Sequence, residues 1–109
     1  MEINQYQKAA LRTANNLNSK DLIVNGILGL CGETGEVSDV IKKHLFQGHK
    51  LDVDKIVDEL GDVCWYIAIL SKGLNVDLEI VMKKNIEKLM KRYPDGFSSE
   101  KSIYRKELK

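Results

Sequence analysis

The chain has 109 residues, 17 basic and 16 acidic side chains and a net charge of +1. That length suits one domain with a small core, and that charge excludes a global pull toward nucleic acid polymers or an acidic membrane surface. The opening "MEINQYQKAA" has no apolar core segment, and the longest apolar run, residues 63–70, is too short to span a bilayer. A cytoplasmic protein without membrane attachment is expected. Cys31 and Cys64 are the only cysteines, both in apolar runs without a CxxC spacing, so two buried free thiols in a reducing compartment are expected. Residues 1–82 carry 8 basic and 12 acidic side chains, and residues 83–109 carry 9 and 4. An acidic front and a basic end suit a metal and phosphates.

A single proline, few aromatics and abundant Lys, Glu, Leu and Ile predict an all-α domain. The first helix is expected over residues 4–17, with Tyr6, Ala10, Thr13, Ala14 and Leu17 on one face. "NNLNSKD" breaks it, and Ser19 or Asp21 can cap a second helix over residues 22–46. "QGHKLD" is a loop. Asp52 can cap a third helix over residues 53–72, which Gly73 would stop. Asp77 can cap a fourth over residues 78–93, ended by Pro94-Asp95-Gly96. The charged tail after Phe97 reads as a short helix or an arm that packs on a partner.

The stretch "GILGLCGETGEV" spends four glycines inside a helix, each costing about 0.5–1 kcal/mol against alanine. It also places Glu33 and Glu36 on the face that carries Leu30, Val37, Val40 and Ile41, where a bare carboxylate is expensive to desolvate. The third helix repeats the theme in "DELGDVCWY". Glu59 and Asp62 lie along one edge of an apolar face of Ile56, Leu60, Val63, Cys64 and Ile67. An i,i+3 pair puts its Cβ atoms about 5–6 Å apart on one face. Two such pairs on adjacent helices form a cluster of four carboxylates, and like charges in that number need a cation. A hard divalent ion such as Mg²⁺ takes oxygen ligands and keeps waters that a substrate can replace. The glycines then remove bulk where helices, metal and ligand approach. Beyond Asp62 the third helix is apolar nearly all round, as expected of a central, enclosed helix.

The fourth helix sets Asn85 within an apolar stripe of Leu78, Met82, Ile86 and Leu89. A buried Asn needs a polar partner. Lys88 and Arg92 flank it, and the three together suit phosphate oxygens.

With both acidic pairs placed, the chain resembles the MazG-like family of all-α nucleoside triphosphate pyrophosphohydrolases. The resemblance rests on Glu33-x-x-Glu36, on Glu59-x-x-Asp62 inside "DELGDVCWYIA", and on Asn85 followed by Lys88 and Arg92. It covers about residues 22–97 of a single domain, leaving residues 98–109 as a charged tail. It implies a four-helix bundle completed by oligomerisation, as a dimer or a dimer of dimers. It also implies hydrolysis of a (deoxy)nucleoside triphosphate to monophosphate and pyrophosphate. Glu33, Glu36, Glu59 and Asp62 would hold Mg²⁺, with Mn²⁺ as a substitute. Asn85, Lys88 and Arg92 would bind phosphate, the two cations offsetting charge on the leaving pyrophosphate. Tyr6, Gln7, Thr13 and Trp65 are weaker candidates for touching the base.

Other readings fare less well. A di-iron bundle usually needs Glu-x-x-His, and neither His44 nor His49 follows a glutamate by three. A P-loop is absent, and a helix-turn-helix reader would want a basic recognition helix. A non-catalytic helical adaptor is the rival from another class, and absent Mg²⁺ binding and turnover would favour it.

Overall fold

The computed structural model describes residues 1–105. They form α1 (Ile3–Leu11), α2 (Ser19–Phe46), α3 (Val53–Gly73), α4 (Leu78–Arg92) and α5 (Ser99–Ile103). The protein is all-α: among the described residues there is no strand, only an isolated bridge between Pro94 and Gly96. Residues 106–109 of the expected tail lie outside the described residues. By its internal contacts the chain divides into residues 1–78 and residues 79 onward.

Within residues 1–78, α2 and α3 run antiparallel at close range, and glycine sets the distance. A Cβ on Gly26 would fall 2.7 Å from Leu70 Cβ, and one on Gly73 would fall 2.8 Å from Ile23 Cγ1. Gly73 is therefore explained by lateral packing. It does not stop the helix, as was expected of it: the left-handed residue that turns the chain is Asn75, at φ 59°. The helix starts follow side-chain caps. Asp52 accepts the Lys55 amide at the head of α3, as expected. At the head of α2 the cap is Asn18, which accepts the Asp21 amide, rather than Ser19 or Asp21.

The first helix is shorter than its spacing predicts. After Leu11 the chain tightens into i→i−3 turns, with Thr13 N bonded to Ala10 O and Ala14 N to Leu11 O. The cause lies far away in sequence. The Trp65 indole donates to Ala10 O at 3.0 Å and to Thr13 Oγ1 at 2.9 Å, taking the carbonyl that another helical turn would use.

Two small clusters make the core. Ala10, Ala68 and Leu78 gather Ile3, Tyr6, Trp65 and Ile67. Ala14, Leu22 and Ile69 gather Leu11, Leu17, Trp65 and Tyr66. The second half of α3 thus runs between α1 and α2, with Ala68 and Ile69 fully buried. Gln7 pins the end of this unit: its amide donates to Ala68 O at 3.2 Å and Val76 O at 3.1 Å, and its Oε1 accepts the Leu78 amide at 2.9 Å.

The expected apolar face of α3 is not the buried one. Leu60 and Cys64 are exposed, while Ile56, Val63 and Ile67 are half-buried. The buried positions are Glu59, Ala68, Ile69, Ser71 and Gly73. Close approach of α2 through its glycines turns the line of Glu59, Tyr66 and Gly73 inward and leaves Leu60 outside. Cys31 and Cys64 are both exposed free thiols, against the expectation of burial.

In the segment from residue 79, α4 ends at Arg92, and Gly96 turns the chain at φ 93°. Tyr93 and Phe97 pack ring to ring at 5.3 Å. Ser98 caps α5 by accepting the Lys101 amide. No helix among the described residues is long and apolar enough to cross a membrane.

Candidate metal centre and adjoining groove

The register of α2 on α3 brings the two acidic pairs together in inverted order. Gly29 lies against Tyr66, so one turn further along α2 Glu33 meets the turn of α3 that holds Asp62 and Glu59. One ligand oxygen each from Glu33, Glu59 and Asp62 lies within 4.8 Å of the others. Glu36 stands outside this trio and meets Glu59 through a side-chain hydrogen bond. Glu59 is the centre of the group. It is 7% exposed and in hydrogen-bond contact with both Glu33 and Glu36. Glu33 is half-buried, whereas Glu36 and Asp62 are exposed, so only part of the acid set is sunk into the apolar face.

Crowding shows in the proton affinities. Glu59 is raised above the ordinary glutamate value, first by sharing hydrogen bonds with Glu33 and then by burial. Glu36 is raised by its hydrogen bond to Glu59 and by that group's charge. Lys55, one turn before Glu59 on α3, pulls both back toward ionisation. The Tyr6 phenol is raised by burial, then by Cys64 and Asp62.

The donor set fits a hard cation. Glu33 Oε2 and Glu59 Oε2 are shut off from solvent with no hydrogen-bond partner, an arrangement that costs free energy unless a cation answers it. Glu33, Glu59 and Asp62 would each offer such an ion one carboxylate oxygen.

Beside the acids lies an open groove of about 740 Å³, lined by Gly32, Gly35, Glu36, Asp39, Val40, Lys43, His49, Lys50, Asp52 and Lys55. A Cβ on Gly32 or Gly35 would meet nothing within 4 Å. Those two glycines keep the groove wide, whereas Gly26 and Gly29 let the helices touch.

Asn85 and Lys88 are exposed, so Asn85 is solvated rather than partnered in an apolar stripe. Arg92 is half-buried, its guanidinium 6.0 Å from the Tyr93 ring centre, with Nε lacking a hydrogen-bond partner. Gln7, Thr13 and Trp65 spend their polar atoms on the fold.

The model of the MazG nucleotide pyrophosphohydrolase domain matches residues 25–97. The chain belongs to the MazG family. The match takes in both acidic pairs and the Asn85–Arg92 segment. A curated relative, the Gene 37 protein of Mycobacterium phage L5, is 35% identical over 105 residues, covering 88% of this chain and 92% of the phage protein. No solved structure matches the chain. Within this MazG chain, sequence reasoning missed Lys55, although it precedes Glu59 by one helical turn and shares its face. It also missed Lys43, which follows Asp39 by one turn on α2, and His49 and Lys50, which carry no recognisable spacing because a loop brings them to the groove.

Proposed function

We propose that the protein hydrolyses a (deoxy)nucleoside triphosphate to the monophosphate and pyrophosphate, using Mg²⁺ or, in its place, Mn²⁺. The observation that carries this is the carboxylate trio around buried Glu59, with orphaned oxygens on Glu33 and Glu59, in a chain of the MazG family. Glu33, Glu59 and Asp62 would hold the cation, and Glu36 would join them from the groove side. When bound, the cation supplies Lewis-acid polarisation of the phosphoryl oxygens. A carboxylate of this cluster would accept the proton of an attacking water. Asn85, Lys88 and Arg92 would bind phosphate, the two cations offsetting the charge that grows on the leaving pyrophosphate.

The protein would work as an oligomer. The apolar girth of residues 63–70 is mostly covered within the chain, whereas other apolar side chains stay open. Leu28 is 67% exposed and Leu60 49% exposed, with Val24, Ile27, Val53 and Val57 also open to solvent, more apolar surface than a monomer of this size usually shows. Cytoplasmic nucleotide pools would be its setting, where exposed Cys31 and Cys64 stay reduced.

Release of pyrophosphate from a panel of canonical and modified nucleotides, with and without Mg²⁺, tests the activity. No turnover of any nucleotide, with no Mg²⁺ binding, would favour a helical adaptor. Sedimentation tests the assembly, and a stable folded monomer at micromolar concentration would count against it.

A further inference from the structure

We propose that the groove between the end of α2 and the start of α3 receives the terminal phosphates of the substrate and releases them as pyrophosphate, with Lys50 and Lys55 as its anion-binding groups. The inference rests on the pyrophosphohydrolase reading above and extends it to residues that reading does not use.

The groove starts where the acids end. Glu36 belongs to both, touching Glu59 on one side and lining the groove on the other. A phosphate chain held at the carboxylates therefore has an open path into it. The charges along that path are not all available. Asp39 is neutralised by Lys43 at 2.9 Å and Lys42 at 3.3 Å. Asp52 accepts the Lys55 amide as the helix cap. Capping does not remove the Asp52 carboxylate, and Glu36 adds a second; beside these acids stand the ammonium groups of Lys50 and Lys55, neither of them held in an ion pair, and the His49 ring.

The lining also argues against the nucleobase as occupant. A base wants aromatic or apolar walls, and the only aliphatic side chain here is Val40, with His49 the only ring. The loop that supplies His49 and Lys50 is already in place. Gln47 N and His49 N both bond to Lys43 O, at 3.0 and 3.2 Å, and His44 Nδ1 meets His49 O at 2.9 Å. Gly48 at φ 73° makes the turn that permits this. A pre-formed loop lowers the ordering cost of binding.

The experiment is calorimetric binding of inorganic pyrophosphate, and separately of a nucleoside monophosphate, to the full chain in Mg²⁺. Three variants are compared: Lys50→Ala, the double variant Lys50→Ala with Lys55→Ala, and Lys20→Ala as an exposed lysine outside the groove. Loss of a charge-assisted contact should weaken pyrophosphate binding about 10-fold in Lys50→Ala and further in the double variant. Monophosphate affinity should stay within about 2-fold, and Lys20→Ala should match the wild type. Unchanged pyrophosphate affinity in the double variant, or an equal loss toward the monophosphate, would overturn the proposal. Lys50→Ala lies in a loop and carries the test if the double variant misfolds. The two readings fail separately. Groove-dependent pyrophosphate binding without nucleotide turnover leaves the groove standing and removes the activity. Turnover with groove-independent binding does the reverse.

Discussion

Gly29 and Tyr66 touch so closely that a Cβ on the glycine would fall 2.1 Å from Tyr66 Cε1. This contact sits one helical turn from Glu33 and fixes how far α2 is slid along α3. The acids converge because the ring of Tyr66 fills the space that Gly29 leaves.

Gly29→Ala should therefore destabilise the fold by about 1–3 kcal/mol, as overpacking does. It should also weaken metal binding by shifting the register. Gly61→Ala is the control, because nothing lies within 4 Å of its Cβ position; it should be neutral or stabilising by up to about 1 kcal/mol. Chemical denaturation of both variants checks this. Equal stability for the two would mean that Tyr66 has room to move.

Metal-free stability should fall as pH rises. Glu36 and Glu59 are raised above their ordinary value of 4.5, so the folded chain binds these protons more tightly than the unfolded chain does. Their contribution is fully present below that ordinary value and is lost as pH rises through the raised ones. Melting temperatures in chelator, compared at about pH 5 and about pH 7.5, should drop more for the wild type than for Glu59→Gln. The neutral variant should also melt higher at the upper pH. Parallel profiles for the two proteins would show that the carboxylates do not repel.

Mg²⁺ should reverse that loss. An ion that binds only the folded chain stabilises it by about 2–3 kcal/mol at a hundredfold excess over its Kd. Thermal melts with and without Mg²⁺ should show this shift in the wild type and lose it in Glu59→Gln and Asp62→Asn. A full shift in both variants would place the ion elsewhere.

Gln7 separates fold from recognition. Gln7→Leu bares the Leu78 amide and the Val76 carbonyl, each worth about 1–3 kcal/mol when left unpaired and buried. Stability should fall while the ratio of kcat/KM among different bases stays constant. A change in that ratio would return Gln7 to the list of base contacts.

Arg92→Ala should lower kcat/KM about 10²-fold, corresponding to roughly 2–4 kcal/mol of lost transition-state stabilisation, and leave Mg²⁺ affinity without nucleotide unchanged. Lys88→Ala should act in the same direction and more weakly, since Lys88 is exposed. Steady-state rates and calorimetry check both. Near-normal kcat/KM in the two variants would make this end of α4 a solvated face.

Helix spacing, the Asp52 cap and the two i,i+3 acidic pairs were legible in the sequence because each depends on residues within a turn or two of one another. Local chemistry also marked the glycines as unusual. It did not show that Gly26 and Gly29 serve helix contact while Gly32 and Gly35 keep a groove open, because that depends on what stands opposite. The early end of α1 was hidden for the same reason: the Trp65 indole that claims the Ala10 carbonyl lies 55 residues away. So was the exposure of Cys31, Cys64 and Leu60, since a helical stripe gives a face but not its neighbour.

By itself the sequence determined that the chain is all-α and that its acids come in pairs on two helices. Tertiary structure alone decided which carboxylates converge, that Glu59 stands at their centre with Glu33 and Asp62, and that Lys50 and Lys55 border the same place. The reason is register. One helix can slide along another without changing any local preference, and only the closest contacts between them, Gly26 on Leu70 and Gly29 on Tyr66, select a single position.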